Sequence, residues 1–123
     1  MIIELEQYAQ EVETLRAKLT EIAGGLHLTD LERELSELRE ELNADGFWDD
    51  LERSTHVNRR IATIEGKIKH YNGLGSSLDD VEVMMQLAKE ENDDSLVKDA
   101  GAELQKLSAD IEALELETLM RGE

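Results

Sequence analysis

The sequence has no cysteine, no proline and few aromatic residues, which make up 3% of its 123 positions. Without cysteine, neither a disulfide nor a thiolate metal site can form, and the chain is compatible with a reducing compartment. Leucine, glutamate, alanine and aspartate dominate instead, a mixture that favours helices over sheets. The first residues lack the basic start and apolar stretch of a signal peptide, and no apolar run approaches a membrane span in length. At this length we expect one all-α domain, residues 1–123, in the cytoplasm.

The charge is strongly one-sided, with 30 acidic against 13 basic side chains and a formal net charge of -17. Such a surface repels phosphate groups, so it excludes a protein that binds nucleic acid over its whole surface. We expect a basic protein as partner, or a contact through one locally basic patch. The 40% hydrophobic content, arranged in register, indicates a folded chain rather than a disordered one.

Apolar residues recur at alternating steps of three and four, the pattern of one face of an α-helix. The spacing predicts four helices, over about 2–23, 30–43, 50–91 and 95–121. The apolar stripe of the third is predicted to begin at Leu51 and to continue through Val57. We expect Gly24 and Gly25 to end the first helix, because glycine readily takes the left-handed conformation of a helix C-terminus. Thr29 and Glu32 have the spacing of a capping box and predict the start of the second.

The third helix is predicted to be continuous, because Leu74 and Leu78 keep the three-and-four spacing through a segment that resembles a linker. That segment contains Gly73, Gly75, Ser76 and Ser77. An unbroken helix over 50–91 would extend roughly 60 Å at 1.5 Å per residue, so the molecule should be elongated. Short connections make helices two and four fold back on the start and the end of helix three. We expect helices one and two to cover its first turns. The predicted shape is an antiparallel helical bundle that continues into a two-helix coiled-coil hairpin with residues 92–95 at its tip.

One segment reverses the global charge. Between residues 53 and 70 there is a single acid, Glu65, and five cations: Arg53, Arg59, Arg60, Lys67 and Lys69. Arg53, Arg60 and Lys67 are seven residues apart and line one flank of the apolar seam. These three side chains either bridge to a neighbouring helix or contact RNA phosphates or an acidic protein surface, and the sequence leaves both interpretations open.

Two acidic motifs lie at predicted turns. Asp93 and Asp94 lack the spacing of a calcium loop, so we interpret them as helix-capping, solvated groups on a tip that can reach a partner. The rings of Phe47 and Trp48 are predicted to pack at the open end of the bundle. Asp49 or Asp50 should cap the third helix. The candidates for partner contact are thus Arg53, Arg60, Lys67, Asp93 and Asp94.

The sequence contains no pattern typical of a catalytic, cofactor or metal site. His27, His56 and His70 do not have the spacing of metal ligands. The serines fall in turns or on polar helix faces, where no pocket would hold a nucleophile and its base. We therefore expect no enzyme activity, no cofactor and no small-molecule substrate.

The order of these features resembles a known family. A leucine helix is followed by an aromatic and acidic junction and then by the long third helix, as in the N-terminal helical domain of the bacterial peptide chain release factor 2 family. The matching residues are Leu31, Leu35, Leu38 and Leu42, followed by Phe47-Trp48-Asp49-Asp50. Further matches are Leu78-Asp79-Asp80-Val81, Leu87-Ala88, Glu90-Glu91-Asn92-Asp93-Asp94, Leu114-Glu115-Leu116 and Gly122-Glu123. The chain departs from the family at residues 73–77.

The resemblance implies the N-terminal part of a longer release factor that acts in translation termination at stop codons. It implies docking on the large ribosomal subunit near the stalk base, on protein and ribosomal RNA, and interplay with the class II release factor GTPase. The Gly-Gly-Gln loop for ester hydrolysis and the tripeptide that recognises stop codons belong to later domains of that family, and neither motif occurs here.

The composition also allows two other kinds of protein. A surface of charge -17 could imitate the phosphates of a nucleic acid and occupy a basic protein. Alternatively, exposed apolar seams could make the chain a structural coiled coil that associates with itself.

Overall fold

The computed structural model describes residues 1–120, in which every regular element is a helix and there is no strand. The helices are α1 (Ile2–Leu26), α2 (Leu28–Glu41), a 3-10 turn (Phe47–Asp49), α3 (Leu51–Glu91) and α4 (Asp94–Met120). This confirms the prediction of an all-α fold with four helices. Arg121, the predicted last residue of the fourth helix, and the matched Gly122-Glu123 lie outside the described residues.

Helix α3 is one continuous helix of 41 residues, as predicted. Gly73 and Gly75 lie on open sides of it, with no neighbouring atom within 4 Å of where a Cβ would stand. Leu74 and Leu78 alternate with them and are 6% and 0% exposed. Burial of these leucines therefore holds the helix together where the glycines weaken it.

The helices form two separate cores along α3. The larger core joins α1, α4 and the second half of α3 into a three-helix bundle. Its buried residues are Val12, Leu15, Leu19, Ile22, Leu74, Leu78, Val81, Leu104, Leu107, Ile111 and Leu114. The smaller core joins α2 and the aromatic junction to the first half of α3 in a two-helix hairpin. Its buried residues are Leu31, Leu35, Leu38, Phe47, Val57, Ile61 and Ile64.

The bundle continuing into a hairpin is thus observed, but the two parts lie at opposite ends from those we expected. Helix α1 does not cover the first turns of α3; it packs on the second half, beside α4. The reason lies in the link to α2, which is the single residue His27 in the left-handed conformation (φ 54°, ψ 49°). This link displaces the chain sideways without reversing it. Both α1 and α2 therefore run antiparallel to α3, one after the other.

The two local signals at this link predicted its position wrongly. Helix α1 runs through Gly24 and Gly25, and a Cβ on Gly25 would come within 2.7 Å of Cγ2 of Thr118. Gly25 therefore allows the close approach of α1 to α4 rather than ending the helix. Helix α2 begins at Leu28 with no side-chain cap, so Thr29 forms no capping box.

The buried face of α3 changes between the two cores. One row of residues, spaced seven positions apart, contributes to both cores: Val57, Ile64, Tyr71, Leu78 and Met85. In the first half it is joined by Ile61 and Ile68, four positions after members of the row. In the second half it is joined by Leu74 and Val81, three positions after them. Since these steps lie on opposite sides of the row, α2 covers one side of α3 and the other helices cover the opposite side.

Candidate interaction surfaces

Two members of the predicted basic strip bridge α3 to α2. The Arg60 guanidinium donates from Nε and Nη2 to the two Glu34 carboxylate oxygens, at 2.6 and 2.8 Å. Arg53 donates to Glu41 at 2.5 Å. The hydrogen bonds with Glu34 raise the pKa of Arg60, and those with Arg60 lower the pKa of Glu34. The structure therefore supports the bridging interpretation for Arg53 and Arg60.

The third member of the strip, Lys67, is placed differently. It is half-buried and forms no ion pair within residues 1–120. It lines a groove of about 310 Å³ between the end of α1, the end of α4 and the middle of α3. Arg59 and Lys69 are exposed, also without an ion pair to any described residue. The charge of Lys67 helps to lower the pKa of Glu34 on α2, but its ammonium is within ion-pair distance of no described carboxylate.

Sequence reasoning missed the ion pairs on the other helices. Arg16 of α1 pairs with Asp79 of α3 at 2.8 Å and also with Glu82, and both hydrogen bonds raise its pKa. Arg39 of α2 pairs with Glu65 of α3 at 2.5 Å. Arg16 lies directly beside the buried Leu15, as Arg60 lies beside the buried Ile61. Its position next to the apolar seam could therefore have identified it from the sequence. Ion pairs thus join both α1 and α2, the two α-helices that precede α3 in the sequence, to α3.

The acidic turn between α3 and α4 caps the second of these helices. Oδ1 of Asp93 accepts hydrogen bonds from the backbone N–H groups of Ser95 and Leu96, at 2.9 and 3.3 Å. Asn92 ends α3 in the left-handed conformation, and Asp94 is exposed in the first turn of α4. The capping interpretation thus holds for Asp93. Among residues 1–120, no group of three or more histidines or carboxylates could hold a metal ion.

The aromatic junction separates its two rings. Phe47 is 8% exposed and belongs to the smaller core, whereas Trp48 is 61% exposed. The packing prediction therefore holds for Phe47 and is wrong for Trp48. The two rings meet edge to face, with centroids 5.1 Å apart, and the Trp48 indole donates to the Leu42 carbonyl at 3.2 Å. Asp50 caps α3 as predicted, because its Oδ1 accepts from the Arg53 backbone N–H at 3.0 Å.

Trp48 belongs to a surface which we call the acidic corner and define as residues 45–52, all of which are exposed except Phe47. Leu51, three positions after Trp48, is 77% exposed. The same eight residues hold four carboxylates and no cation. The carboxylates belong to Asp45, Asp49, Asp50 and Glu52. The prediction that Leu51 belongs to the buried stripe is therefore wrong. Leu51 lies six residues before Val57, which fits neither a helical step of three or four residues nor the row spaced seven positions apart.

The chain matches a known protein family over most of its length. Residues 31–123 match the PCRF domain, so the chain belongs to the PCRF domain family. The match begins at Leu31 of α2 and includes the acidic corner, all of α3 and α4. In the part of the chain that the structure describes, none of the helices is both long and apolar enough to cross a membrane.

Three similar proteins are each named peptide chain release factor 2. The protein of Clostridium perfringens is 35% identical over 123 residues, which are 100% of this chain and 34% of that protein. The protein of Corynebacterium diphtheriae is 36% identical over 112 residues, or 91% of this chain and 30% of the relative. That of Kineococcus radiotolerans is 29% identical over 116 residues, or 94% and 32%. The resemblance to this family is confirmed, and the chain spans about a third of the length of the curated relatives it matches.

Proposed function

We propose that this chain is the ribosome-docking domain of a larger peptide chain release factor that acts in translation termination at stop codons. The observation that carries the proposal is the PCRF domain match over residues 31–123, together with relatives named peptide chain release factor 2 that align along the whole chain. Its partners are the large ribosomal subunit near the stalk base, through protein and ribosomal RNA, and the class II release factor GTPase. Its place of action is the cytoplasm.

The geometry supports a docking role through rigidity. A long helix with partners tied along its length by packing and ion pairs can hold a partner at a fixed distance from the rest of a factor. We assign the chain no catalytic step, since the charged side chains described above lie on the outer surfaces of the helices. Of the candidate contacts, Lys67 and Asp94 are the two whose charged groups form no cap and no interhelix ion pair among residues 1–120.

Binding to an isolated stalk base tests the proposal. The labelled chain is titrated with the stalk-base ribosomal protein bound to its RNA fragment, and binding is followed by fluorescence anisotropy. We expect saturable binding that is displaced by an unlabelled full-length release factor 2. Lys67→Ala should weaken it several-fold, because a phosphate or carboxylate contact would lose its cation. Lys98→Ala, on α4, is the matched control and should bind like the wild type.

The opposite result is a chain that shows no binding while the full-length release factor binds normally. Sedimentation of the same samples separates the remaining classes of protein. A chain that associates with itself at these concentrations would support the structural coiled coil instead. Displacement of unrelated nucleic acids from basic proteins would support the nucleic-acid mimic.

A further inference from the structure

We infer that the acidic corner binds a protein surface that offers an apolar pocket bordered by lysine and arginine side chains. The inference deepens the proposed function and rests on it in one respect, since it assigns the protein component of the docking site, rather than its RNA, to this end of the molecule. It rests on three observations about residues 45–52, concerning exposure, orientation and charge.

The first observation is the exposure of two large apolar side chains in one turn. Trp48 is 61% exposed and Leu51 is 77% exposed, three residues apart where the 3-10 turn meets α3. Tryptophan in particular contributes strongly to protein interfaces, because its ring buries a large area when a partner covers it. The corner therefore supplies an apolar anchor at its centre.

The second observation is that the exposed indole already has a fixed orientation. Its Nε1 donates to the Leu42 carbonyl at 3.2 Å, and its ring stands edge to face with the buried Phe47 at 5.1 Å. A partner that covers this ring would not have to order it first, so less conformational entropy opposes binding. Such preorganisation is typical of a binding side chain and is absent from a freely rotating surface residue.

The third observation is the negative charge of the corner, which determines the kind of partner that can bind there. Four carboxylates and no cation lie within residues 45–52, and the nearest cation along the chain, Arg53, is paired with Glu41 at 2.5 Å. RNA phosphates would be repelled from this corner, and so would the same corner of a second copy of the chain. Lysine and arginine side chains around an apolar pocket would be attracted. Charge complementarity thus favours a basic protein over RNA or self-association.

The experiment uses the full chain and two probes without RNA. The first is the isolated stalk-base ribosomal protein, and the second is a short amphipathic helical peptide of leucine and lysine. Because Trp48 is the only tryptophan, its emission reports directly on this corner. We expect a blue shift with both probes, since each would remove the indole from water. A matched peptide of leucine and glutamate should give none.

Substitutions then locate the contact, with binding followed by anisotropy of a label on the probe. Trp48→Ala should weaken binding about tenfold or more, and Leu51→Ala less. Asp45→Asn with Asp49→Asn should slow association and reduce its salt dependence. Val83→Ala is the control, because Val83 is also exposed, at 59%, but lies on α3 away from the corner. Circular dichroism of each variant checks that the helices are intact.

Three results would overturn the inference. One is unchanged binding of both probes by a folded Trp48→Ala variant. The second is an emission shift of Trp48 with the RNA fragment alone, and the third is a shift that depends only on the concentration of the chain. If the wild-type chain binds the protein–RNA stalk base and Trp48→Ala binds it equally, this inference fails while the proposed function stands. If the wild type binds only the lysine peptide through Trp48, the proposed function fails and the chemistry of the corner stands.

Discussion

Arg60 and Glu34, 26 positions apart in the sequence, form a two-pronged ion pair that joins α3 to α2, with N–O distances of 2.6 and 2.8 Å. The pair borders the smaller core, which holds no residue of α1 or α4. The α2–α3 hairpin that carries the acidic corner is therefore held mainly by the smaller core and by the ion pairs between α2 and α3. Its stability can be tested separately from that of the three-helix bundle.

Replacing Glu34 by glutamine should lower the free energy of unfolding at neutral pH by about 0.5–1 kcal/mol. The effect is small because both side chains are more than a third exposed, at 35% for Arg60 and 38% for Glu34, so solvent screens their attraction. Urea denaturation followed by circular dichroism measures it. Glu37→Gln, on the exposed face of α2 and without an ion pair to residues 1–120, is the control and should leave the free energy unchanged.

The same pair predicts a pH dependence with a definite sign. Hydrogen bonding to Arg60 lowers the pKa of Glu34 from its ordinary value of 4.5 in the folded state. The stabilisation is therefore full above about pH 4.5 and is lost as the pH falls through the lowered folded-state pKa. The difference between wild type and Glu34→Gln should shrink in that acid range. A difference that stays constant through it would contradict the assigned role of the pair.

Matched isoleucine truncations should separate the two cores. Ile64, in the smaller core, and Ile111, in the larger one, are both 0% exposed, and each replacement by alanine should cost about 2–5 kcal/mol. Ile64→Ala should speed amide hydrogen exchange in α2 and the first half of α3 while α4 keeps its protection. Ile111→Ala should do the reverse. Equal acceleration in all four helices for both variants would show a single cooperative unit instead.

Two glycine substitutions should have opposite signs although both sites are helical. Gly73→Ala should raise the free energy of unfolding by up to about 1 kcal/mol, because alanine favours the helix and nothing lies within 4 Å of the new Cβ. Gly101→Ala should lower it, because the Cβ would stand 2.8 Å from Cζ of the Tyr8 ring. Chemical denaturation of both variants measures the contrast. Stabilisation by Gly101→Ala would mean that Tyr8 moves away without cost.

Removing one hydroxyl should destabilise the larger core. The Tyr71 hydroxyl donates to the Leu19 carbonyl at 2.9 Å, so Tyr71→Phe should cost about 1 kcal/mol. Burial raises the pKa of Tyr71 above its ordinary 10.0, so the wild type should also lose stability as the pH rises above 10.0, a component absent from Tyr71→Phe. Tyr8→Phe is the control, since the Tyr8 hydroxyl makes no hydrogen bond to a described residue. Equal losses for both variants would argue against the Tyr71–Leu19 bond.

Signals confined to a few neighbouring residues predicted much of the architecture. The three-and-four spacing identified all four helices, and the unbroken rhythm of Leu74 and Leu78 through the glycines predicted the continuity of α3. Asp50 caps α3, and residues 92 and 93 end one helix and begin the next, as the turn residues indicated. These features depend on backbone groups within about one helical turn, so the local sequence suffices to determine them.

Local signals failed where a distant residue decides the outcome. Gly25 has the same local chemistry as a helix-ending glycine. Its actual role is to let α1 approach α4 closely at Thr118, a residue far away in the sequence. The sequence likewise could not tell Phe47 from Trp48, since either ring could fill the end of the small core. Only the packed structure shows which of them is buried and which is presented to a partner.

The sequence by itself determined that the chain forms acidic amphipathic helices, which faces of them are apolar, and which family it resembles. Only the tertiary structure decided that α1 packs beside α4, that Arg53 and Arg60 bridge to α2 while Lys67 does not, and that Leu51 is exposed. The physical reason is that the hydrophobic effect is non-directional. It specifies that a face is buried without specifying against what, and ion pairs and exposed anchors depend on that choice of neighbour.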